Sequence, residues 1–451
     1  MDNALNIENI RRQDRAHVWH PLLQHETLET RDLLVFESGN GCTLVDGEGR
    51  AYLDAYAGLW NVNVGYGREE IAEAVSEQIR KLPFYPHSQI NVPATQLAAR
   101  LAEILPGDLQ HIFFSNSGSE ANETALKIAR QYGRQKYPGQ NRFKVIARHQ
   151  GYHGFTFGAL SATGQVGRRR KFGPLVPGFF HVSPPYCYRC PLKLRYPDCG
   201  VACVEEIEEA IVREGPESVI AVIAEPIIGG GGVIVPPDEY LPRLREICDK
   251  YDLLLILDEV ITGFGRTGEL FACRHWGVEP DIMTLAKGVS SGYLPLGACA
   301  VTPEIFEMFL GAPEEGVEFA QIATYGGHPV CCAAALANIE ILLRERLWEN
   351  SARMGAYLLD GLRQLDSPLV GDVRGKGLMI GVELIGEDGA MLDDARTAQV
   401  VGGIRDAGVL VGKMSHAVDG PESVLFVSPP LILREDEADR IVDAFEAGLR
   451  I

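Results

Sequence analysis

Residues 253–268 read LLLILDEVITGFGRTG, and residues 281–298 read DIMTLAKGVSSGYLPLGA. The first stretch is an apolar run of strand length ending on Asp258, so a strand delivers a carboxylate to its own C-terminal edge. The second holds Lys287, twenty-nine residues further on, alone among apolar and glycine neighbours. A lysine in such a setting is easily held neutral and can attack an aldehyde. A carboxylate nearby keeps a pyridine nitrogen protonated, which turns the ring into an electron sink. Together they imply a Schiff base between Lys287 and an aldehyde cofactor, pointing to pyridoxal phosphate.

Two competing motifs fail on context. GFGRTG at 263–268 matches G-x-G-x-x-G, but Asp258, Glu259, Val260, Ile261 and Thr262 stand between it and the apolar run, and no second strand with an acidic residue follows at the right distance. LLLILDE resembles the acidic strand of nucleotide hydrolases, yet no G-x-x-x-x-G-K-[ST] loop exists; GVLVGKM has the wrong spacing and ends in methionine.

At 451 residues the chain is too long for one compact core, and 46% hydrophobic content with 49 glycines and 26 prolines fits a folded α/β protein rich in turns. A formal charge of −19 argues against nucleic acid as partner. The basic run Arg168–Lys171 reads as a solvated loop. No stretch is long and apolar enough to span a membrane, and the polar start MDNALNIENIRRQDR lacks a secretory apolar core; the expectation is a soluble, cytoplasmic protein. Of the ten cysteines, six sit in apolar contexts and read as small core residues. Cys187, Cys190, Cys199 and Cys203 cluster in YCYRC and DCGVAC, which leaves open a structural zinc or an ordinary surface insertion. No catalytic metal is expected.

CTLVDGEGRAYLDA at 42–55 reads as a β-hairpin. From residue 69 amphipathic helices (69–82, 95–105, 119–135) alternate with short strands (111–116, 144–148, 219–225, 253–259, 297–302), implying a mainly parallel sheet covered on both faces. A long apolar helix follows His328-Pro329, then strands at 375–384 and 423–431 and a final helix at 437–449. The expected division is 1–65 and 329–451 as parts of one smaller domain, and 66–328 as the large one.

Three more blocks complete a constellation. SNSGSEANE at 115–123 puts Gly118 and Ser119 at a helix start, where free backbone N–H groups can cradle phosphate, although helix capping explains the same residues. QGYHG at 150–154 offers Tyr152 as a plate for a heterocycle, with His153 beside it. AEPIIGGGG at 224–232 ends a strand on Glu225 before a glycine run that permits close backbone approach. In this order, from GLWNVNVGYG at 58–67 to LFVSPPL near the C-terminus, the blocks resemble class III aminotransferases, fold type I pyridoxal-phosphate enzymes that include the ω-aminotransferases.

The resemblance implies a large domain on a mainly parallel seven-stranded sheet, plus a smaller α+β domain from both termini. It makes Lys287 the cofactor-bearing lysine and proton carrier, with Asp258 on the pyridine nitrogen, Val260 and Tyr152 on the two ring faces, and Gly118 and Ser119 on the phosphate. Thr324, in ATYGGHP, would reach the phosphate from a neighbouring subunit, so a homodimer, or a tetramer as a dimer of dimers, would share its sites. Glu225 and His153 join the cofactor set.

For substrates, the resemblance places Trp60, Tyr85, Ser88 and Ala323 on pocket walls, although Trp60 also suits a plain core position. The opening VWHPLLQHE is similar to taurine- and β-alanine:pyruvate enzymes. Many relatives carry an arginine in the stretch matching GVLVGKMS at 408–415; here Lys413 stands there, supplying charge but no planar fork. The expected reaction transfers an amino group from an ω-amino acid or primary amine to a keto acid, with pyruvate favoured. Alternatives are an aminomutase or racemase on the same fold, or a non-catalytic cofactor-binding protein.

Overall fold

A computed structural model describes residues 6–29 and 33–450, so residues 1–5 of the polar start lie outside it. Near the N-terminus, β1 (Phe36–Asn40), β2 (Thr43–Asp46) and β3 (Ala51–Asp54) form an antiparallel ribbon. Asp46 fastens the β2–β3 turn, because its Oδ1 accepts the backbone N–H of Glu48 at 3.0 Å and of Arg50 at 2.9 Å.

The central sheet has seven strands: β4 (His111–Ser115), β5 (Lys144–Arg148), β6 (Phe179–Val182), β7 (Val219–Ala224), β8 (Leu254–Asp258), β9 (Ile282–Leu285) and β10 (Gly297–Val301). Their order is β4-β10-β9-β8-β7-β5-β6. β10 runs antiparallel to β4 and β9, and the pairs from β9 through β8, β7 and β5 to β6 are parallel. VIAVIA of β7 and LLILD of β8 are buried at every position, as strands covered on both faces must be. The helix Gly118–Lys136 covers one face, packing Ala125, Ile128, Ala129 and Tyr132 among Val145, Ile220, Ile223 and Ile256. β6 and β9 are additions to the strands expected from sequence. Both are four residues long, too short for a clear periodic signal.

Toward the C-terminus lie β11 (Val370–Gly375), β12 (Ile380–Leu384), β13 (Val409–Leu410), β14 (Gly412–Lys413) and β15 (Val424–Val427). β13 joins the N-terminal ribbon parallel to β3, and the others form an antiparallel sheet in the order β11-β12-β15-β14. Residues 375–384 are therefore not one strand. They turn at Gly377, whose φ is +56° and where a Cβ would meet the Thr267 carbonyl carbon at 2.3 Å. The strand expected over 423–431 stops at Val427, because Pro429 and Pro430 have no N–H to extend the ladder. Among the described residues no helix is long and apolar enough to cross a membrane.

Candidate active site

The C-terminal ends of β8 and β9, the start of the helix Gly118–Lys136, and the loops after β5 and β7 line an open cavity of about 470 Å³, the solvent at its mouth included. Gly118, Ser119, Tyr152, His153, Glu225, Asp258, Val260 and Lys287 all line it. Sequence spacing spread these residues over 170 positions, and parallel-strand topology collects them at one edge.

Asp258 lies at the end of β8, 3% exposed. Its Oδ2 accepts from Asn122 Nδ2 at 2.7 Å and stands 2.8 Å from His153 Nδ1, while Oδ1 accepts the Val260 N–H at 3.1 Å. A carboxylate cannot donate, so an ionised Asp258 fixes the proton of His153 on Nδ1. Asn122, absent from the residues singled out by sequence, is itself held: Nδ2 also donates to His153 O at 2.8 Å, and Oδ1 accepts the Thr284 hydroxyl at 2.9 Å. Its helical spacing of three and four residues from Ser119 and Gly118 was the available signal.

Lys287 follows β9 in a short turn, with φ at +45°, a conformation that non-glycine residues rarely adopt. Asn338, from the helix Pro329–Arg344, clamps this turn by donating to Gly288 O and Val289 O, both at 2.9 Å. Burial holds the Lys287 amine below the ordinary lysine range, against the opposing pull of the Asp258 and Glu225 charges. Glu225 is 2% exposed, and its carboxylate accepts the N–H of Tyr152 at 2.9 Å and of Gly229 at 2.8 Å. Burial raises its carboxyl above the usual range.

At the helix start Ser117 caps Glu120 N–H at 3.2 Å, and no hydrogen bond among the described residues engages the N–H groups of Gly118 and Ser119. Gly118 is required by space: a Cβ there would stand 2.8 Å from Val260 Cγ1. Ser119 Oγ accepts the Phe155 N–H at 3.1 Å, which ties the loop carrying Tyr152 to the helix start.

Other expected site residues are placed elsewhere. Trp60, 6% exposed, stacks on Phe426 at 4.0 Å between centroids and joins Ile261, Met379 and Met414 in a buried cluster. Ile261 also lines the cavity, so Trp60 is core that borders the site. Tyr85, Ser88, Ala323 and Thr324 are outside the cavity lining. Their segments meet one another instead, Phe84 edge-on to Tyr325 at 5.5 Å, and Tyr85, Ser88 and Thr324 are exposed. Lys413 is also outside: its ammonium pairs with Asp394 at 2.5 Å. The basic run is not a wholly solvated loop, since Arg168 is half-buried over Tyr152. Cys187, Cys190, Cys199 and Cys203 line one small cavity, and among the described residues no group of three or more His, Cys, Asp or Glu is arranged to hold a metal ion.

The aminotransferase class-III family model matches residues 26–449. The chain belongs to the class III aminotransferases. It is 46% identical over 447 residues to an uncharacterized aminotransferase of Bacillus subtilis (strain 168), covering 98% of this chain and 97% of that one. It is 42% identical over 438 residues to the taurine–pyruvate aminotransferase of Bilophila wadsworthia (strain 3_1_6), covering 95% and 94%. The solved structure of an (S)-enantioselective omega-transaminase from Thermomicrobium roseum superposes with a TM-score of 0.92 at 44% identity, covering 99% of this chain and 98% of that one.

This class III aminotransferase fits pyridoxal phosphate on its own geometry. A buried carboxylate, a lysine of lowered basicity and a helix start with two uncommitted N–H donors face one cavity, while Gly118 keeps the cradle clear of a Cβ.

Proposed function

We propose that the enzyme moves an amino group from an ω-amino acid or primary amine to a keto acid, pyruvate being the favoured acceptor, in two half-reactions. The observation that carries this reading is the convergence of Lys287, Asp258 and the Gly118–Ser119 helix start on one cavity. Support for the substrate class comes from the Bilophila wadsworthia relative, named for taurine and pyruvate, and the Thermomicrobium roseum neighbour, named an omega-transaminase.

Bound here, pyridoxal phosphate supplies an aldehyde that captures the substrate amine and a ring that accepts electrons when a C–H bond breaks. Gly118 and Ser119 would bind the phosphate through backbone N–H groups and the serine hydroxyl. Asp258 would hold a proton at the ring nitrogen, and Asn122 and His153 orient that carboxylate. Tyr152 and Val260 would flank the ring and exclude water. Lys287, whose amine burial holds below the ordinary lysine range, would take a proton from the substrate carbon and return it one step later. Glu225 fixes the Tyr152 loop through the 2.9 Å bond to its N–H.

The expected homodimer rests on the surface shared by the segments 84–92 and 322–325, where Tyr85, Ile90, Ile322 and Tyr325 are exposed at 52%, 88%, 85% and 58%. A second copy would cover this face and bring its Thr324 to the phosphate. We further propose residues 66–328 as the large domain, with 1–65 and 329–451 as the smaller one, a division supported by the pairing of β13 with β3. All ten cysteines are free thiols, which favours a reducing, cytoplasmic setting.

The test is alanine formation from pyruvate by purified, cofactor-loaded enzyme with a panel of donors: taurine, β-alanine, putrescine and 1-phenylethylamine. Alanine with at least one donor is expected. No alanine with any of them removes the reading and turns attention to isomerisation of the same donors.

A further inference from the structure

Arg374 stands in β11 of the C-terminal sheet with its side chain 12% exposed, and each of its three nitrogens donates twice. Nη1 donates to Asp372 Oδ2 at 2.6 Å and to Glu383 Oε2 at 3.0 Å, and Nη2 to Tyr186 Oη at 2.8 Å. The other contacts reach across to the large domain. Nε donates to Gly232 O at 3.0 Å and Val233 O at 3.1 Å, and Nη2 also to Gly232 O at 2.6 Å. Glu383 is 0% exposed and is itself held by Tyr186 Oη and Arg189 Nε. Two acids thus balance two arginines, and the Arg374 fork is fixed in place.

The two carbonyls belong to the glycine turn 229–233, which stands directly behind the cavity wall. One carboxylate, Glu225, bridges the N–H groups of Gly229 and Tyr152. A Cβ on Gly231 would fall 2.2 Å from Gln150 O, one on Gly230 3.7 Å from Tyr152 Cβ, and one on Gly229 2.7 Å from Ile261 Cδ1. Tyr152, Glu225 and Ile261 line the cavity, whereas Arg374 does not. The turn closes tightly, Gly232 and Val233 both donating to Gly229 O at 3.1 Å. Val233 is left at φ +49°, a left-handed conformation that a β-branched residue avoids. Such strain persists only where the surroundings hold it. Gly232 O and Val233 O belong to the peptides before and after the Val233 Cα, so the Arg374 fork grips both.

We propose that Arg374 is a positioning residue for the cofactor: by gripping the peptides around Val233 it holds the glycine turn against the back of Tyr152 and fixes the plate that flanks the ring. It touches neither cofactor nor substrate and acts through the turn alone. Without the grip Val233 relaxes out of its left-handed conformation, and the Tyr152 loop loses its backing. The inference rests on the preceding reading that Tyr152 flanks the ring.

The test titrates pyridoxal phosphate into cofactor-free wild type and variants, and follows backbone hydrogen exchange in the same proteins. Arg374→Lys keeps the charge, but one ammonium cannot grip two carbonyls and two carboxylates at once. Its cofactor affinity should fall roughly three- to thirtyfold. The amides of Gly232, Val233 and Tyr152 should exchange faster by about threefold or more. Arg189→Met unpairs the same buried Glu383 without touching the turn, so its urea midpoint should fall while its cofactor affinity stays at the wild-type value. Gly231→Ala forces the turn away from Gln150 by a separate route and should also weaken binding. Combined with Arg374→Lys, its effect should be less than additive, because both act on one turn. Unchanged affinity in Arg374→Lys or in Gly231→Ala overturns the inference. An equal loss in Arg189→Met overturns it too, by making Arg374 a brace of the C-terminal sheet, and so does full additivity. Undiminished affinity in Tyr152→Ala sinks the reading of Tyr152, and this inference with it. A loss in Tyr152→Ala with none in Arg374→Lys sinks this inference alone.

Discussion

Asn122 donates to Asp258 Oδ2 at 2.7 Å across 136 positions of chain, and the same amide nitrogen reaches His153 O at 2.8 Å. One buried amide thus orders both the carboxylate and the loop carrying its second partner. Truncation to alanine leaves a buried carboxylate short of one donor, a loss of about 1–3 kcal/mol. Asn122→Ala should unfold at correspondingly lower urea and show kcat reduced roughly tenfold, with KM for the amine little changed. Asn122→Asp should be worse, because it sets a second negative charge beside Asp258. Wild-type kcat in both variants would mean that His153 alone orients Asp258.

Lys287 gives a pH dependence whose sign is fixed by its environment. Its folded pKa lies below the ordinary lysine value of 10.5, with burial the leading cause. Between the folded pKa and that value the unfolded chain binds more protons than the folded one, so stability rises with pH through the window. Below it the charged amine is a constant cost. Lys287→Met should therefore stabilise the cofactor-free protein at neutral pH, and its advantage should shrink as pH climbs toward 10.5. Urea midpoints of both proteins at several pH values check this, and an advantage that grows with pH contradicts it. The loaded variant should lose transamination by more than about a thousandfold.

What could be read without coordinates follows from where chemistry sits in such folds. Asp258, Lys287, Glu225 and Gly118 follow or end apolar strands, so local pattern alone places them at one sheet edge. Asn122 ends no strand, and its spacing from Gly118 and Ser119 was its one signal, because an amide in a helix otherwise looks the same whether it faces solvent or a carboxylate. Lys413 and Arg168 exchange their expected settings for reasons that depend on distant partners: Asp394 holds the first, and Ser415, 247 residues away, helps hold the second. The hairpin of β11 and β12 was hidden because its turn at Lys376-Gly377 has neither a proline nor an Asn-Gly pair, and the apolar run Leu378-Met379 leads without a break into β12. Tyr85, Ser88, Ala323 and Thr324 were expected on pocket walls or at the phosphate. A single chain leaves them outside the cavity.

Gly118 and Val260 set the width of the cofactor cradle. A methyl at position 118 would stand 2.8 Å from Val260 Cγ1 and 3.1 Å from Cγ2, and Val260 lines the cavity. Either the valine moves into the space for the ring or the helix start retreats, a strain of about 1–3 kcal/mol. Gly118→Ala should weaken pyridoxal phosphate binding about ten- to a hundredfold, measured by titrating the cofactor-free protein. Val260→Ala in the same chain should restore much of the loss, because the colliding methyls are gone. An additive double variant would place the defect at the helix N–H groups instead.

Gly412 and Phe426 make the last test, linking the C-terminal sheet to the site. They are directly opposed across β14 and β15, and a Cβ on Gly412 would fall 1.9 Å from the Phe426 ring. That ring is the one stacked on Trp60 at 4.0 Å, so any side chain at 412 displaces the stack and disturbs the cluster containing Ile261, which borders the cavity. Gly412→Ala should lower stability by about 1–3 kcal/mol and raise KM for bulky amines more than for small ones, because the wall shifts while Lys287 and Asp258 stay in place. Calorimetry and a KM comparison between n-butylamine and 1-phenylethylamine decide it. Equal KM changes for the two amines would show that the Trp60–Phe426 stack is plain core with no part in shaping the pocket.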